Sequence, residues 1–338
     1  MKKLTVLFFP SPILLLVSCG RESTVMPLQP ADRDEIRQLP SFLGDRLTST
    51  HFSDWAEPVN LGPVVNSALP DMNPTLSRDG MSLYFASTNR PGGVGGIDIW
   101  VSQRACVDCP WETPVNLGLM VNSTANDNGP ELSADGHLLF FFSFREGGEG
   151  GADLYISRRT DPQDDFAWEA PVNLGPVVNT SMGEAGPNYI ALVENGTANL
   201  YFNWGIGAGP GRIRNTDIYK VRVTRHGEIF DIPVPVAELN VANFLDQGPT
   251  VRADGREILF QSDRPGTLGF GDLWMSTRPS AHHSWSIPVN MGAPLSSQAN
   301  EQGPDLSHDG RTILWAAGRP GGSGQFDIWM STRTAGKD

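Results

Sequence analysis

Cysteine, positive charge and helical periodicity are all scarce in this chain of 338 residues. Only three cysteines occur, and two of them, Cys106 and Cys109, sit together in "CVDC". No second Cys-x-x-Cys or spaced His pair follows, so a four-ligand zinc site is excluded, and the adjacent His282 and His283 cannot both reach one metal from a regular strand. A redox Cys-x-x-Cys opens a helix in a βαβ setting, which is missing here. In an oxidising compartment the two thiols are expected to pair as a small loop disulfide, with free thiols as the alternative. Lys and Arg total 25 against 38 Asp and Glu, a net charge of −13, which excludes a nucleic-acid-binding protein and adsorption to anionic lipid. Gly-x-Ser-x-Gly, His-Glu-x-x-His and a phosphate loop ending in Gly-Lys-Ser/Thr are all missing, and with them three common catalytic signatures.

The N-terminus carries Lys2 and Lys3, then an apolar run from Leu4 to Val17 that is too short and too broken by Pro10 and Pro12 to span a bilayer. It closes on Leu16-Val17-Ser18-Cys19, which resembles a bacterial lipobox. That resemblance implies a signal peptide over residues 1–18, lipidation of Cys19, and a polar tether over 19–50. Gly20 after the cysteine implies the outer membrane as destination, the chain being held in the cell envelope by its lipid rather than by basic residues.

What the chain has in abundance is Gly (37), Pro (27) and repetition. Prolines 74, 130, 187, 249 and 304 each open an extended segment. Asp79-Gly80, Asp135-Gly136, Asp254-Gly255 and Asp309-Gly310, with Asn195-Gly196 in the third unit, then turn the chain into a hairpin. Apolar runs follow at Leu83, Leu139, Leu200, Ile258 and Ile313, as expected of strands covered on both faces. A third strand begins at Asp98, Asp153, Asp217, Asp272 and Asp327, each with an aromatic two residues on. A fourth is expected from an aromatic to a Pro: Trp55/Pro58, Trp111/Pro114, Trp168/Pro171, Phe230/Pro233 and Trp285/Pro288. The repeat of 55 to 62 residues is the length of a four-stranded propeller blade. The Trp55 strand precedes any complete unit and the last unit lacks a fourth strand. The reading is therefore an all-β, five-bladed propeller over residues 51–334, of four-stranded antiparallel blades, with a tail at 335–338. The N-terminal strand closes the C-terminal blade and removes its open edge.

The succession Pro, Ser-x-Asp-Gly, apolar strand, Ser-x-Arg-Pro-Gly-Gly and Asp-Ile-Trp resembles the WD40-like (TolB-type) β-propeller repeat family of bacterial envelope proteins, over about Trp55 to Arg333. Members of that family serve as scaffolds, as partners of outer-membrane proteins, or as propellers attached to peptidases. The repeat itself supplies no catalytic residue.

Several recurring polar positions are candidates for chemistry. An acid three residues before each Pro, namely Asp71, Asp127, Glu184, Asp246 and Glu301, is expected to ring one mouth of the channel. Five close carboxylates would favour a bound cation such as Ca2+, or a cationic or sugar ligand; the alternative is that each locks its own loop through backbone N–H groups. Arg90/Asp98, Arg145/Asp153, Arg264/Asp272 and Arg319/Asp327 are read as structural pairs across a Gly-rich loop. Asn60, Asn116, Asn173 and Asn290 are read as turn residues. The third unit breaks the pattern with "NWGIGAGPGRIRNTD", where Trp204, Arg212 and Arg214 form a candidate contact for a sugar or an acidic group.

Symmetric polar positions, a lipid anchor and the missing motifs point to a monomeric, non-enzymatic envelope lipoprotein whose propeller binds a protein or cell-wall glycan, with no cofactor beyond that Ca2+. The alternative is a glycan-active, glycoside hydrolase-like enzyme using carboxylates at the channel mouth. That chemistry needs one protonated and one ionised carboxyl, and an acid in an apolar pocket opposite another in a deep cleft would decide for it, with Glu184 the first to mutate.

Overall fold

The Asp-Gly turns make the hairpins expected of them. Gly80, Gly136, Gly255 and Gly310 all have φ near +70°, and in the first of these turns the Gly80 N–H donates to Ser77 O while the Ser77 hydroxyl donates to Asp79 Oδ1. Such a turn reverses the chain tightly enough for the second strand to pair with the first. In the computed structural model, which describes residues 52–191, 196–205 and 215–336, the pattern gives five four-stranded antiparallel sheets.

Blade 1 holds Asp71–Leu76, Ser82–Thr88, Ile97–Gln103 and Val115–Asn116. Blade 2 holds Asp127–Leu132, Leu138–Ser143, Asp153–Arg158 and Val172–Asn173. Blade 3 is built of Glu184–Ala191, Thr197–Trp204, Asp217–Thr224 and Val234–Pro235. Blade 4 comprises Asp246–Val251, Glu257–Ser262, Asp272–Thr277 and Val289–Asn290. Blade 5 takes Glu301–Leu306, Thr312–Ala317 and Asp327–Thr332 from the C-terminal end and Val59–Asn60 from the other, pairing Val59 with Met330 and Asn60 with Trp329. The expected five-bladed β-propeller and its closure are both present. Residues 1–51, with the signal segment, Cys19 and the tether, lie outside the described residues.

The apolar second strands are buried on both faces because each blade packs against two neighbours. Tyr84 joins Phe141 and Trp168 between blades 1 and 2, while Leu83 and Phe85 join Leu314 and Ile328 between blades 5 and 1. Every adjacent pair of blades has such a cluster, so the hydrophobic core is a ring of five interfaces rather than one centre.

The outer strands differ from expectation. Each is two residues long and starts just after the Pro, not at the aromatic. Proline has no N–H to pair, and the aromatic before it has other work. Trp111, Trp168, Trp285 and Trp55 lie under the guanidinium groups of Arg104, Arg159, Arg278 and Arg333 at 4.3, 4.3, 3.9 and 4.4 Å. Those arginines in turn donate to the carbonyls of Gly80, Gly136, Gly255 and Gly310 in the hairpin turns.

One irregularity positions the axis. Every innermost strand has a bulge in register just before its Pro-bearing segment pairs, as between Met72 and Thr75 or between Asn128 and Glu131. Its pivot is a positive-φ residue: Asn73, Gly129, Gly186, Gly248 and Gly303, with φ between 49° and 62°. The pivots press together around the axis, and a Cβ on Gly186 would stand 3.2 Å from the Cα of Gly248. The bulge turns the residue after each Pro into the channel.

Candidate functional site

The five residues presented in this way are Thr75, Glu131, Asn188, Thr250 and Asp305. Two of the five are carboxyls, and they flank Thr75 on blades 2 and 5. Glu131 Oε1 accepts from Asn188 Nδ2 (2.9 Å) and the Tyr189 N–H (3.0 Å), and its Oε2 lies 3.4 Å from the Thr75 hydroxyl. Asp305 Oδ2 accepts from the Leu76 N–H at 3.1 Å. Each carboxyl-bearing residue keeps 7% of its surface exposed.

Burial and the charge of Asp305 push the Glu131 carboxyl well above the usual carboxylate range, against the opposing pull of its three donors. Burial raises Asp305 to about 7, opposed by its own hydrogen bonds. Both carboxyls are thus raised, Glu131 by burial and by the charge of Asp305, and Asp305 by burial, so the two compete for protons as a pair.

Both open onto a cavity at the end of the channel where the innermost strands finish. Its walls include Arg78, Ser133, Tyr189, Ala253 and His308. The cavity has a volume of about 80 Å³, below the usual range of small-ligand sites, and it opens to solvent. Tyr189 is held by stacking on Phe140 at 5.3 Å and by donating to Arg225 O at 3.2 Å.

The acids singled out in the sequence are elsewhere. Asp71, Asp127, Glu184, Asp246 and Glu301 are each fully buried under their own blade's leading loop. The N–H groups of Ser67, Ser123, Thr180, Val241 and Ser297 donate to them in turn. Arg90, Arg145, Arg264 and Arg319 pair with four of them, at 3.9 Å to Asp71, 2.6 Å to Asp127 and 3.1 Å to Glu301, and in contact with Asp246. The Arg–Asp pairs eight residues apart therefore do not form: each Arg reaches back to the leading acid of its own blade. Asp98, Asp153, Asp272 and Asp327 instead accept loop N–H groups and the Asn116, Asn173, Asn290 and Asn60 amides. Among the described residues no cluster of three or more His, Cys, Asp or Glu is arranged to hold a metal, so the acids are separate loop locks and not a shared cation ring.

Trp204 is half-buried, donates from Nε1 to Thr180 Oγ1 at 3.1 Å and packs against Tyr219 at 5.8 Å. Arg212 and Arg214 lie outside the described residues. A disulfide joins Cys106 and Cys109, whose Cα atoms are 4.9 Å apart. Glu131 and Asp305 were missed in the sequence although a signal was there. The position after the repeat Pro reads Thr, Glu, Asn, Thr, Asp, and only a bulge would reveal that it faces the axis.

No protein-family model and no curated protein sequence matches the chain. Solved structures do resemble it. The catalytic domain of a GH62 α-L-arabinofuranosidase from Coprinopsis cinerea is similar with a TM-score of 0.55 and 10% identity, over 82% of this chain and 97% of that one. A thermostable family-43 glycoside hydrolase is similar with a TM-score of 0.56 and 13% identity, over 81% and 93%. A structure assigned to TolB of Agrobacterium tumefaciens reaches a TM-score of 0.44 at 15% identity, over 79% and 78%, too low to bear on function. These likenesses establish the propeller fold. They also correct the expectation of a non-enzymatic scaffold, which rested on symmetric polar positions, a lipid anchor and missing motifs: the two similar structures named above with a TM-score over 0.5 are glycoside hydrolases.

Proposed function

We propose that this propeller is a glycan-active enzyme of the glycoside hydrolase type, with Glu131 as general acid and Asp305 as the ionised partner. The observation that carries the reading is the carboxyl pair at the foot of the cavity, on blades 2 and 5, flanking Thr75 and both raised in proton affinity by burial. Cleaving a glycosidic bond takes one carboxyl that protonates the departing oxygen and one carboxylate that assists water or attacks the sugar carbon. Glu131, pushed upward by burial and by its charged neighbour, suits the first task. Asp305, ionising near neutrality, suits the second. Thr75, between the two, and Asn188, donating to Glu131, hold the carboxyls in place. The likeness in fold to a GH62 α-L-arabinofuranosidase and a family-43 glycoside hydrolase supports the reading.

The test is release of reducing ends or aryl alcohol from a panel of oligosaccharides and aryl glycosides by the purified chain. Glu131→Gln and Asp305→Asn are each expected to lower turnover by at least about a hundredfold, with unchanged circular dichroism. A wild-type chain that cleaves nothing in the panel, or variants as active as wild type, would remove this reading.

A further inference from the structure

The residue just before the Asp-Gly pair of four hairpin turns lines the same cavity, and it is Arg78 on blade 1, Ala134 on blade 2, Ala253 on blade 4 and His308 on blade 5. Blades 5 and 1 are neighbours, as the bond from Leu76 N to Asp305 shows, so the two basic side chains stand side by side while the other two positions are methyl groups. They are close enough for the charge of Arg78, after burial, to lower the proton affinity of His308. Arg78 makes no hydrogen bond or ion pair with any described residue. The acids next to it in sequence are engaged within their own turns. Asp79 Oδ1 accepts from the Ser77 hydroxyl and the Met81 N–H, and Asp309 Oδ1 from the Ser307 hydroxyl and the Arg311 N–H. An arginine without a partner among the described residues, in a chain with 38 acidic residues, is a donor fork open at the rim of a pocket.

We infer that Arg78 and His308 form an anion-binding subsite, and that the glycan taken by the cavity carries a carboxylate, as a uronic acid does. The inference rests on the glycan-active reading for the identity of the ligand. A planar carboxylate is matched by the two parallel N–H donors of a guanidinium, and the imidazole beside it supplies a further donor. The placement also answers an electrostatic difficulty. An acidic glycan is repelled by a protein of net charge −13, and more so by Asp305 at the cavity floor, unless a local cation receives it.

The experiment is calorimetric titration of the full chain carrying Glu131→Gln, which prevents turnover, with trigalacturonate, its methyl ester, xylotriose and a sulfated oligosaccharide. Trigalacturonate is expected to bind most tightly. Arg78→Gln is expected to weaken it at least about tenfold and His308→Gln by a smaller factor, with Arg78→Lys recovering part of the loss. Binding of the ester and of xylotriose should be indifferent to Arg78. The inference is overturned if ester and acid bind alike, if Arg78→Gln changes nothing, or if the sulfated sugar matches the uronate. The readout separates the two claims. Arg78-dependent binding of the acid by a chain that cleaves nothing defeats the hydrolase reading and leaves the subsite, whereas cleavage with Arg78-independent binding does the reverse.

Discussion

A methyl group added at Gly269 would overlap the carbonyl oxygen of Ala299, in the loop that leads into the next blade. Gly95 and Gly150 meet Ala125 and Thr180 in the same way, and Gly324 would come within 2.8 Å of Leu69 O. The glycine runs thus serve close approach between blades, and the contacts fall on backbone that cannot swing aside. Gly269→Ala is expected to cost about 2 kcal/mol or more in a denaturant titration, by forcing apart two packed loops. Gly62→Ala is the comparison: its φ of +78° is strained for alanine but nothing stands within 4 Å, so about 1 kcal/mol is expected. Equal costs would mean that the loops yield freely. The sequence marked these glycines as loop residues, but their cause is a partner some thirty positions away. Glu131 and Asp305 were hidden for a related reason. Regular alternation along the strand does not predict which residue a bulge turns inward, so acids that recur in every blade drew attention away from two that do not.

Blade 3 departs from its siblings in one consequential way: the arginine that pairs with the leading acid in the other four blades has no counterpart among its described residues. Burial raises Glu184 to about 7, opposed by the Thr180 N–H and hydroxyl and reinforced by the charge of Asp153, with no arginine among the described residues to pull it down. A carboxyl whose folded value lies above its unfolded one of about 4.5 stabilises the fold most below that pH. The contribution is lost as pH rises through about 7. Asp71 and Glu301 are also raised by burial and add to the same trend. Glu184→Gln, which keeps shape and removes the charge, is expected to melt like wild type at pH 5 and at a higher temperature at pH 8. A parallel fall of both proteins across that range would show that Glu184 ionises without cost. At this scale the chain was legible in its hairpins and third strands, where turn chemistry and apolar runs act locally. It was not legible in the outer strands, because the Trp before each Pro looks like a strand residue and is in fact a platform for an arginine contributed by the preceding strand.

Closure of the ring is the property that belongs to the molecule as a whole, and it could be read by counting: an unmatched strand at one end and a missing one at the other. The seam proves wider than the two paired residues. Ala56 N donates to Thr332 O and Ser53 N to Thr334 O, both at 2.9 Å, and Phe52 bridges to Ala335. The Asn60 amide donates to Asp327 at 2.8 Å, Asn66 holds both the N–H and the carbonyl of Ile328, and Phe52 and Trp55 sandwich against Arg333. Val65, fully buried, fills the cluster between blades 5 and 1. A chain starting at Phe52 keeps all of this, and one starting at Ser67 loses it and bares Asp327–Thr332 as an open edge. The first is expected to unfold like the full chain. The second should melt at least about 10 °C lower, the equivalent of a few kcal/mol in a domain of this size, and associate through the bared strand. A peptide spanning 52–66 added in trans should restore the midpoint, by binding the folded state and not the unfolded one. An unchanged midpoint after removal of residues 1–66 would mean that the five blades hold their circle through the inter-blade clusters alone, and that the shared blade is an ornament of topology and not its fastening.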